Sequence, residues 1–344
     1  MAATCGPPLL VKRDLPLKMS LSVESSNSNK LRRLKEVLNI SVRRSGGVKP
    51  ALWKVVAILK RERWKGLKRL RKIFKGEQKP LHERREKALV MINRNGLGLE
   101  VGPSYSPIAS KKEGFNVHIL DHASAEELRV KYMGHGVNLA NIEEVDFVWR
   151  GEPVAQLIGR KGCYDWIIAS HVIEHRPDLI SFLGECEELL KDDGVLSLIV
   201  PDKQYCFDYL HGPTSTGELL DAYDQKRRRP SPGKVFDHFA GATKRNGQIA
   251  WDADTRGTIE FVHDFSDAIK NWQQARTTDG YFDIHNWRFT PASFRAIVYD
   301  LRALGLIRFD IKAEFETVGC EFFVTLQKTQ SCQTSKRLFP VDST

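Results

Sequence analysis

The sequence lacks the features of a membrane-spanning or disulfide-bonded protein. No uncharged apolar run approaches the roughly 18 residues that a bilayer span needs, and the run Pro7–Val11 is too short for the apolar core of a signal peptide. The six cysteines are scattered, without a close pair of metal-ligand or redox spacing, so reduced thiols are expected. These absences predict a cytoplasmic protein.

Positive charge is concentrated in one part of the chain. The 344 residues have a net charge of +10, yet residues 1–90 hold 24 of the 53 basic residues and only 7 of the 43 acidic ones. The remainder is net negative, which argues against an RNA substrate because phosphate contacts need local positive charge. Nucleic acid is therefore not expected as a partner.

Residues 1–90 are predicted to form a basic extension that is partly disordered and partly helical. Residues 1–30 are rich in Ser, Asn and Pro and show no periodicity. Pro50 suits the first turn of a helix over residues 51–75, which has one apolar face and one basic face. Such a helix packs on its own catalytic domain, on a partner, or on an anionic membrane surface, and all three alternatives remain open.

From about residue 89, short apolar runs alternate with helical patterns, which predicts a parallel α/β sheet with right-handed crossovers. Helices begin after Ser124, where Glu127 completes a capping box, after Asp178, and at Thr290-Pro291. Strands are predicted at residues 97–101, 116–121, 145–149, 164–170 and 195–200, followed by a terminal hairpin of residues 308–318 and 321–328.

Two further segments complete the predicted organisation of the chain. Residues 203–284 are too long for an ordinary connection, so they are expected to form a cap insertion with helices of its own, one of them near residues 217–226. Residues 329–344 are expected to be a flexible tail. The main domain then spans residues 91–328.

The stretch Gly96–Ser106 carries the strongest functional signal. Gly102 lets the backbone turn sharply after a buried strand, so that a ligand can approach the strand's carboxyl end. Asp121 ends the next strand about 20 residues later and can accept both hydroxyls of a ribose. Because a lone glycine turn or a lone acid is often structural, the two together only indicate a nucleotide-cofactor site.

An ordered set of motifs over residues 93–328 resembles the class I S-adenosylmethionine-dependent methyltransferases. The resemblance implies a Rossmann-like, seven-stranded, mostly parallel sheet with a final antiparallel hairpin, and S-adenosyl-L-methionine as the cofactor. A further run, Val200–Tyr209, is similar to a bacterial subgroup found near or fused to glycosyltransferases of surface-polysaccharide synthesis. The motifs are Glu100-Val-Gly102, Asp121, Tyr164-Asp165, Ser170–His175 and Leu189–Gly194.

The resemblance also implies which residues bind the cofactor. Glu100 and Gly102 would lie by its methionine part, Asp121 would bind ribose, and Ser170 and His171 would line the methionine and the reacting methyl group. Glu152 is the candidate for the adenine-side acid that usually follows the third strand. The full predicted set is Glu100, Gly102, Ser104, Asp121, Glu152 and Ser170.

The first loop departs from the family pattern. Ser104 and Ser106 stand where glycine is usual, and Pro103 and Pro107 shorten the following helix. These departures leave an alternative open: a non-catalytic scaffold with this fold, tethered to a membrane or a partner by its basic helix.

Methyl transfer to a hydroxyl needs a base near the acceptor. His171, at the carboxyl end of the fourth strand, and His285, just before the last helix, are the predicted catalytic residues. His238 and His263 each lie beside an aspartate and are weaker candidates, and for every histidine a structural role is the alternative. No spacing supports a metal site specifically, so none is predicted.

The expected acceptor is a saccharide or another small-molecule hydroxyl, as in polysaccharide biosynthesis. The resemblance adds a glycosyltransferase partner through residues 51–75 and the inner face of the membrane as an alternative location. Aromatic rings can stack on sugar rings, and six of them lie in or near the predicted cap: Tyr205, Phe207, Tyr209, Trp251, Trp272 and Trp287.

Overall fold

The structure is a computed structural model that describes residues 83–330. Its central element is a seven-stranded sheet. The predicted helix over residues 51–75 and nearly all of the predicted tail lie outside the described residues. A separate two-stranded sheet joins β6 and β7. The strands are β1 (Gly98–Val101), β2 (Val117–Asp121), β3 (Phe147–Val148), β4 (Tyr164–Ser170), β5 (Leu190–Pro201), β6 (Thr243–Arg245), β7 (Ile259–Phe261), β8 (Phe309–Val318) and β9 (Glu321–Lys328).

The order of strands in the large sheet is β3-β2-β1-β4-β5-β9-β8. The first five strands are mutually parallel, whereas β9 runs antiparallel to both β5 and β8. This confirms the predicted Rossmann-like sheet with its antiparallel hairpin. The strand order reverses between β1 and β4, the point at which open α/β sheets bind ligands beyond their carboxyl ends.

Most of the predicted helices are present with the predicted caps. Ser124 and Glu127 form a capping box at α1, the Asp178 side chain accepts a hydrogen bond from the Ser181 N–H at α3, and Thr290 caps α7. The helices are α1 (Ala125–Tyr132), α2 (Val154–Ile158), α3 (Leu179–Leu189), α4 (Thr216–Asp224), α5 (Pro232–Gly241), α6 (Phe265–Thr277) and α7 (Pro291–Ala303).

The parallel strands are buried on both faces, as helices on both sides of a sheet require. On β4, Ile167 and Ala169 point into the hydrophobic cluster that includes α3 and α7. Trp166 and Ile168 alternate with them and join a second cluster, which contains Ala88 from the helical residues 83–88. The strand period of two therefore divides the core into two layers.

The structure differs from the expected elements in three places. Between β1 and β2 the expected shortened helix is reduced to one 3₁₀ turn, Lys111–Glu113, because Pro103 and Pro107 interrupt the helical pattern. β5 begins at Leu190, five residues earlier than predicted, and the insertion contains the β6–β7 hairpin beside α4, α5 and α6. None of the helices in residues 83–330 is both long and apolar enough to cross a bilayer.

Candidate active site

A cavity of about 940 Å³ opens at the carboxyl ends of β1, β2, β3 and β4. Gly102 and Asp121 line it where β1 and β2 end, Trp149 and Glu152 line it after β3, and Val172 lines it after β4. Its volume lies in the range of about 300 to 1,000 Å³ that is usual for small-molecule sites. The fold and this position together define a ligand site of the doubly wound α/β type.

Asp121 is held in place by its neighbours in sequence. Its Oδ2 accepts a hydrogen bond from the Ser104 backbone N–H at 3.0 Å, and its Oδ1 accepts from the His122 backbone N–H at 2.7 Å and contacts His122 Nδ1 at 2.6 Å. A carboxylate offers about four acceptor positions. Three are occupied, so the carboxylate is fixed and one position is left for a ligand hydroxyl.

The loop after β1 brings the backbone close to Asp121. Gly102 has a φ of 65° and Ser104 a φ of 52°, both in the left-handed region that glycine adopts most readily. The Ser104 side chain is buried, and its Oγ has no hydrogen-bond partner among residues 83–330. It is the backbone of Ser104, rather than its side chain, that positions Asp121.

The carboxylate of Glu100 stabilises the loop after β1. Its carboxylate accepts hydrogen bonds from the Ile108 N–H at 2.7 Å and the Ala109 N–H at 3.0 Å. Burial raises the pKa of Glu100 to about 7, and these two N–H groups oppose the shift. Glu100 does not line the cavity, and its predicted contact with the cofactor stays a prediction.

Glu152 lies on the cavity wall, as expected for the acid after the third strand. Its carboxylate accepts a hydrogen bond from the Arg150 N–H at 3.0 Å, and its carbonyl oxygen accepts one from Trp149 Nε1. The guanidinium of Arg176 lies over the Trp149 ring, 4.0 Å from its centroid, and burial lowers the pKa of Arg176. This part of the cavity therefore combines an acid, a flat aromatic surface and a cation.

Ser170 and His171 lie behind the cavity wall in a network of buried charges. Arg84 donates a hydrogen bond to Ser170 Oγ at 2.8 Å and pairs with Glu321, which also contacts His171 Nε2 at 2.7 Å. Burial alone would raise the pKa of Glu321, but Arg84 and His171 lower it to about 2. Only about 1% of His171 is exposed.

His285 occupies a similar buried position. Its Nδ1 lies 2.5 Å from Asp208 Oδ2, and Asp208 Oδ1 accepts a hydrogen bond from Arg288 Nε at 3.1 Å. Burial opposes ionisation of Asp208, yet His285 and Arg288 hold the pKa of Asp208 well below its usual range. Neither His285 nor His171 lines the cavity, and their catalytic role stays a prediction.

Of the predicted site residues, the structure therefore brings Gly102, Asp121 and Glu152 together on the cavity wall. Sequence reasoning missed His175, although it belongs to the same run as His171. It also missed the basic run Lys226–Arg229, which stands out as four consecutive positive charges in the acidic part of the chain. Both His175 and the basic run line the cavity, whereas none of the six aromatic residues expected to stack on sugars does.

Comparison with known proteins identifies the family. A family model described as "Methyltransferase domain" matches residues 77–298, well over half of the chain. The chain therefore belongs to this family and is an S-adenosylmethionine-dependent methyltransferase, which confirms the predicted enzyme class and cofactor. The cavity and the free acceptor position on Asp121 fit a ligand that carries a ribose. No curated protein matches the sequence.

Several solved structures share a likeness with the chain. The 1,6-didemethyltoxoflavin-N1-methyltransferase of Burkholderia thailandensis, with bound 1,6-didemethyltoxoflavin and S-adenosylhomocysteine, is 14% identical; the match covers 80% of this chain and 90% of that one, with a TM-score of 0.36. An S-adenosylmethionine-dependent methyltransferase of Mesorhizobium loti is 10% identical, with coverage of 70% and 95% and a TM-score of 0.35. One from Methanosarcina mazei is 14% identical, with the same coverage and a TM-score of 0.34. Family membership does not depend on these distant likenesses.

Proposed function

We propose that this methyltransferase acts on a hydroxyl group of a negatively charged saccharide. The observation that carries the proposal is the extent of the cavity, which runs from Asp121 at the sheet to the basic run Lys226–Arg229 in the cap insertion. One end is suited to the cofactor and the other to an acidic acceptor, which supports methyl transfer between two small molecules.

At the cofactor end, Gly102, Asp121 and Glu152 provide the contacts. S-adenosylmethionine, when bound, supplies an electrophilic methyl group. Because displacement at a sulfonium needs little covalent help, the contribution of the protein is to hold the acceptor in line and to exclude water. The cap insertion, which closes one side of the cavity with residues of α4 and the loop after it, supports both roles.

At the acceptor end, positive charge is available for an anion. Arg229 pairs with Asp279 at 2.9 Å, but no carboxylate within residues 83–330 forms an ion pair with Lys226 or Arg228. Such a cluster attracts a phosphate or carboxylate. Tyr223 and Tyr281 line the cavity nearby and offer flat faces for a sugar ring.

An acceptor hydroxyl loses its proton when it is methylated, so a base must accept that proton. His171 and His285 contact Glu174 at 3.5 Å and 3.9 Å, and the His285 ring packs edge-on against His175, 4.7 Å between centroids. Since only His175 of this group lines the cavity, His175 is the imidazole placed to accept that proton, and His171 and His285 act only as its neighbours around Glu174.

The wider setting is also a proposal. The resemblance of Val200–Tyr209 supports a place in surface-polysaccharide synthesis, with the glycosyltransferase partner and the membrane face approached through residues 51–75. The scaffold alternative is not favoured, because the chain belongs to an enzyme family and has a cavity at the expected strand ends.

A methyl-transfer assay tests the acceptor class. Wild type and the Lys226→Ala/Arg228→Ala double variant are supplied with labelled S-adenosylmethionine and a panel of sugar phosphates, nucleotide sugars, neutral sugars and RNA. We expect transfer to a phosphorylated saccharide, and a KM for that acceptor about thirtyfold higher in the double variant, since each of the two charged contacts is worth on the order of 1 kcal/mol.

Lys312→Ala serves as the control, because Lys312 is an exposed cation that pairs with Asp310 on β8 and does not line the cavity. Its KM should equal that of the wild type. Equal use of neutral and phosphorylated sugars would contradict the acidic acceptor. Transfer to RNA alone would contradict the saccharide, and neither result would bear on cofactor binding.

A further inference from the structure

Three buried side chains meet at the wall of the cavity, behind the end of β4. Glu174 and His175 belong to the 3₁₀ turn Ile173–His175, and His285 precedes α7. Their exposed fractions are 0%, 5% and 1%. One ligand atom from each, a carboxylate oxygen or a ring nitrogen, lies within 4.8 Å of the others. The three residues thus form a compact group with the composition of a metal site.

Glu174 has no donor at ordinary hydrogen-bond distance. Neither of its carboxylate oxygens accepts a hydrogen bond of good geometry within residues 83–330. The nearest imidazole nitrogen, His171 Nδ1, lies 3.5 Å from Glu174 Oε1, and His175 Nε2 and His285 Nε2 both lie 3.9 Å from it. A buried carboxylate with only such distant neighbours is stabilised further when a cation binds between its oxygen and two of the nitrogens.

Both histidines are oriented as metal ligands usually are. Asp208 Oδ2 lies 2.5 Å from His285 Nδ1, and Asp283 Oδ1 lies 3.1 Å from His175 Nδ1. Each ring therefore has a carboxylate at Nδ1 and presents Nε2 to Glu174. A carboxylate behind a ligating imidazole fixes its tautomer and raises its basicity.

The backbone holds the two segments of the group together. The Asn286 N–H donates a hydrogen bond to the Glu174 carbonyl oxygen at 2.7 Å, and Asn286 Nδ2 donates to the His175 carbonyl oxygen at 3.0 Å. His285 is thereby fixed against the 3₁₀ turn, although more than 100 residues separate them in sequence. These hydrogen bonds hold the two segments together without a bound ligand.

We propose that Glu174, His175 and His285 bind a first-row divalent cation, with Zn²⁺ the best match, through one carboxylate oxygen and two Nε2 atoms. Two imidazoles and one carboxylate suit zinc better than Mg²⁺ or Ca²⁺, which prefer sites made of oxygen atoms. Bonds of about 2.1 Å in a tetrahedral site place ligand atoms roughly 3.4 Å apart. The two oxygen–nitrogen distances of 3.9 Å therefore shorten by about half an ångström on binding, and the largest separation in the group, up to 4.8 Å, shortens by about 1.4 Å. The site does not depend on the identity of the acceptor.

The assignment changes two expectations drawn from the sequence. It gives His285 the role of a ligand in place of a base, and it places a metal where none was predicted. When the cation is bound, Nε2 of His175 and Nε2 of His285 are ligands and no longer accept the proton of the acceptor. Because His175 lines the cavity, the cation would lie beside the cavity wall.

Zinc binding by the full chain tests the proposal directly. Protein is stripped with a chelator and dialysed, and Zn²⁺ is then titrated at neutral pH in competition with a chromophoric chelator, while elemental mass spectrometry measures the metal content. We expect one zinc per chain, with affinity reduced at least a hundredfold in Glu174→Gln and in His285→Gln. Glu187→Gln is the matched control, because Glu187 is another buried glutamate, 6% exposed, that pairs with Arg308, and it should bind zinc as the wild type does.

Two further measurements guard against misfolded variants. Zinc-edge X-ray absorption of the wild type, which needs no substitution, should show two imidazole nitrogens and a carboxylate oxygen at the metal. Circular dichroism and S-adenosylmethionine titration establish whether each variant is folded. A wild type that binds no zinc, zinc binding that is unchanged in folded Glu174→Gln, or an absorption spectrum without two imidazoles would each overturn the proposal.

Discussion

Two pairs of buried acids on the same sheet are stabilised in opposite ways. Glu100 lies in β1 and Asp121 ends β2, and backbone N–H groups of nearby residues donate to both of them. Glu174 follows β4 and Glu321 begins β9, and side chains surround them. For Glu321 these are Arg84 and His171, and for Glu174 they are three histidines, of which His285 comes from a distant part of the chain. The first pair is fixed by local backbone, the second by tertiary assembly.

This difference in surroundings indicates that the two pairs of acids have different functions. Asp121, whose oxygens are held by backbone N–H groups, is preorganised and can accept a ligand hydroxyl without moving, as cofactor recognition requires. Glu174 is instead surrounded by imidazole nitrogens at 3.5 to 3.9 Å, so a bound cation would stabilise its buried charge. The first half of the sheet is therefore suited to the cofactor, and the second to a cation behind the cavity wall.

We expect the largest effect on stability from a substitution of Glu100, in the first pair of acids. Glu100→Ala leaves two buried backbone N–H groups without acceptors, so we expect a loss of roughly 2 to 6 kcal/mol in the free energy of unfolding. Urea denaturation at neutral pH measures it. Glu113→Ala, which removes an exposed partner of Arg85, is the control and should cost no more than about 1 kcal/mol. Equal losses would show that the backbone contacts of Glu100 are not what stabilises the loop.

The contribution of Glu321 to the free energy of unfolding should depend on pH in the acidic range. The pKa of Glu321 is about 2 in the folded protein and 4.5 in the unfolded chain, so its contribution is complete above pH 4.5 and is lost as the pH falls towards 2. At pH 6 the wild type should exceed Glu321→Gln by up to about 3 kcal/mol, and the two should converge as the pH falls through 2.

Urea unfolding of both proteins at pH 6, 4 and 2 tests this convergence, because titrating groups that do not interact with Glu321 cancel in the difference. Glu314→Gln, which removes the part-exposed partner of Arg295, should show a smaller and flatter difference. A gap between wild type and Glu321→Gln that stays constant with pH would contradict the pairing of Glu321 with Arg84 and His171.

The smallest expected effect has the opposite sign. Ser104 has a φ of 52° and an unpartnered, buried Oγ, while its backbone N–H holds Asp121. Ser104→Gly relieves the left-handed strain and keeps that N–H, so we expect about 1 kcal/mol of added stability and unchanged affinity for S-adenosylmethionine. Thermal unfolding and calorimetry measure the two quantities. Weaker cofactor binding would show that the hydroxyl, and not the backbone, makes the contact.

The contrast between the two pairs also explains what the sequence could predict. Strand periodicity and the Ser124–Glu127 capping box are local signals, and they predicted β4, α1, α7 and β9 closely. That Gly102 and Asp121 lie on one cavity wall could also be expected, because a parallel sheet brings the carboxyl ends of neighbouring strands together; their contact with the cofactor stays a prediction.

The rest of the site depends on contacts that no local pattern encodes. Glu174 and His285 meet only because Asn286 hydrogen bonds to the turn after β4, and Arg84 reaches Glu321 across more than 200 residues of sequence. The Lys226–Arg229 run was visible as charge, but its position at the cavity is set by the packing of the cap insertion. Residues of this kind are placed by the fold, so they could be recognised only after it was known.

Calorimetric titration of S-adenosylmethionine into wild type, Asp121→Ala and Asp193→Ala tests the account's central claim most directly. Asp193 is an exposed acid in β5 that does not line the cavity. We predict micromolar binding by wild type and Asp193→Ala, and binding about a hundredfold weaker in Asp121→Ala, because a hydrogen bond to a charged group is worth about 1.5 to 3 kcal/mol. Equal binding by all three proteins would contradict the cofactor site at Asp121, and no binding by the wild type would contradict the cavity as a cofactor site.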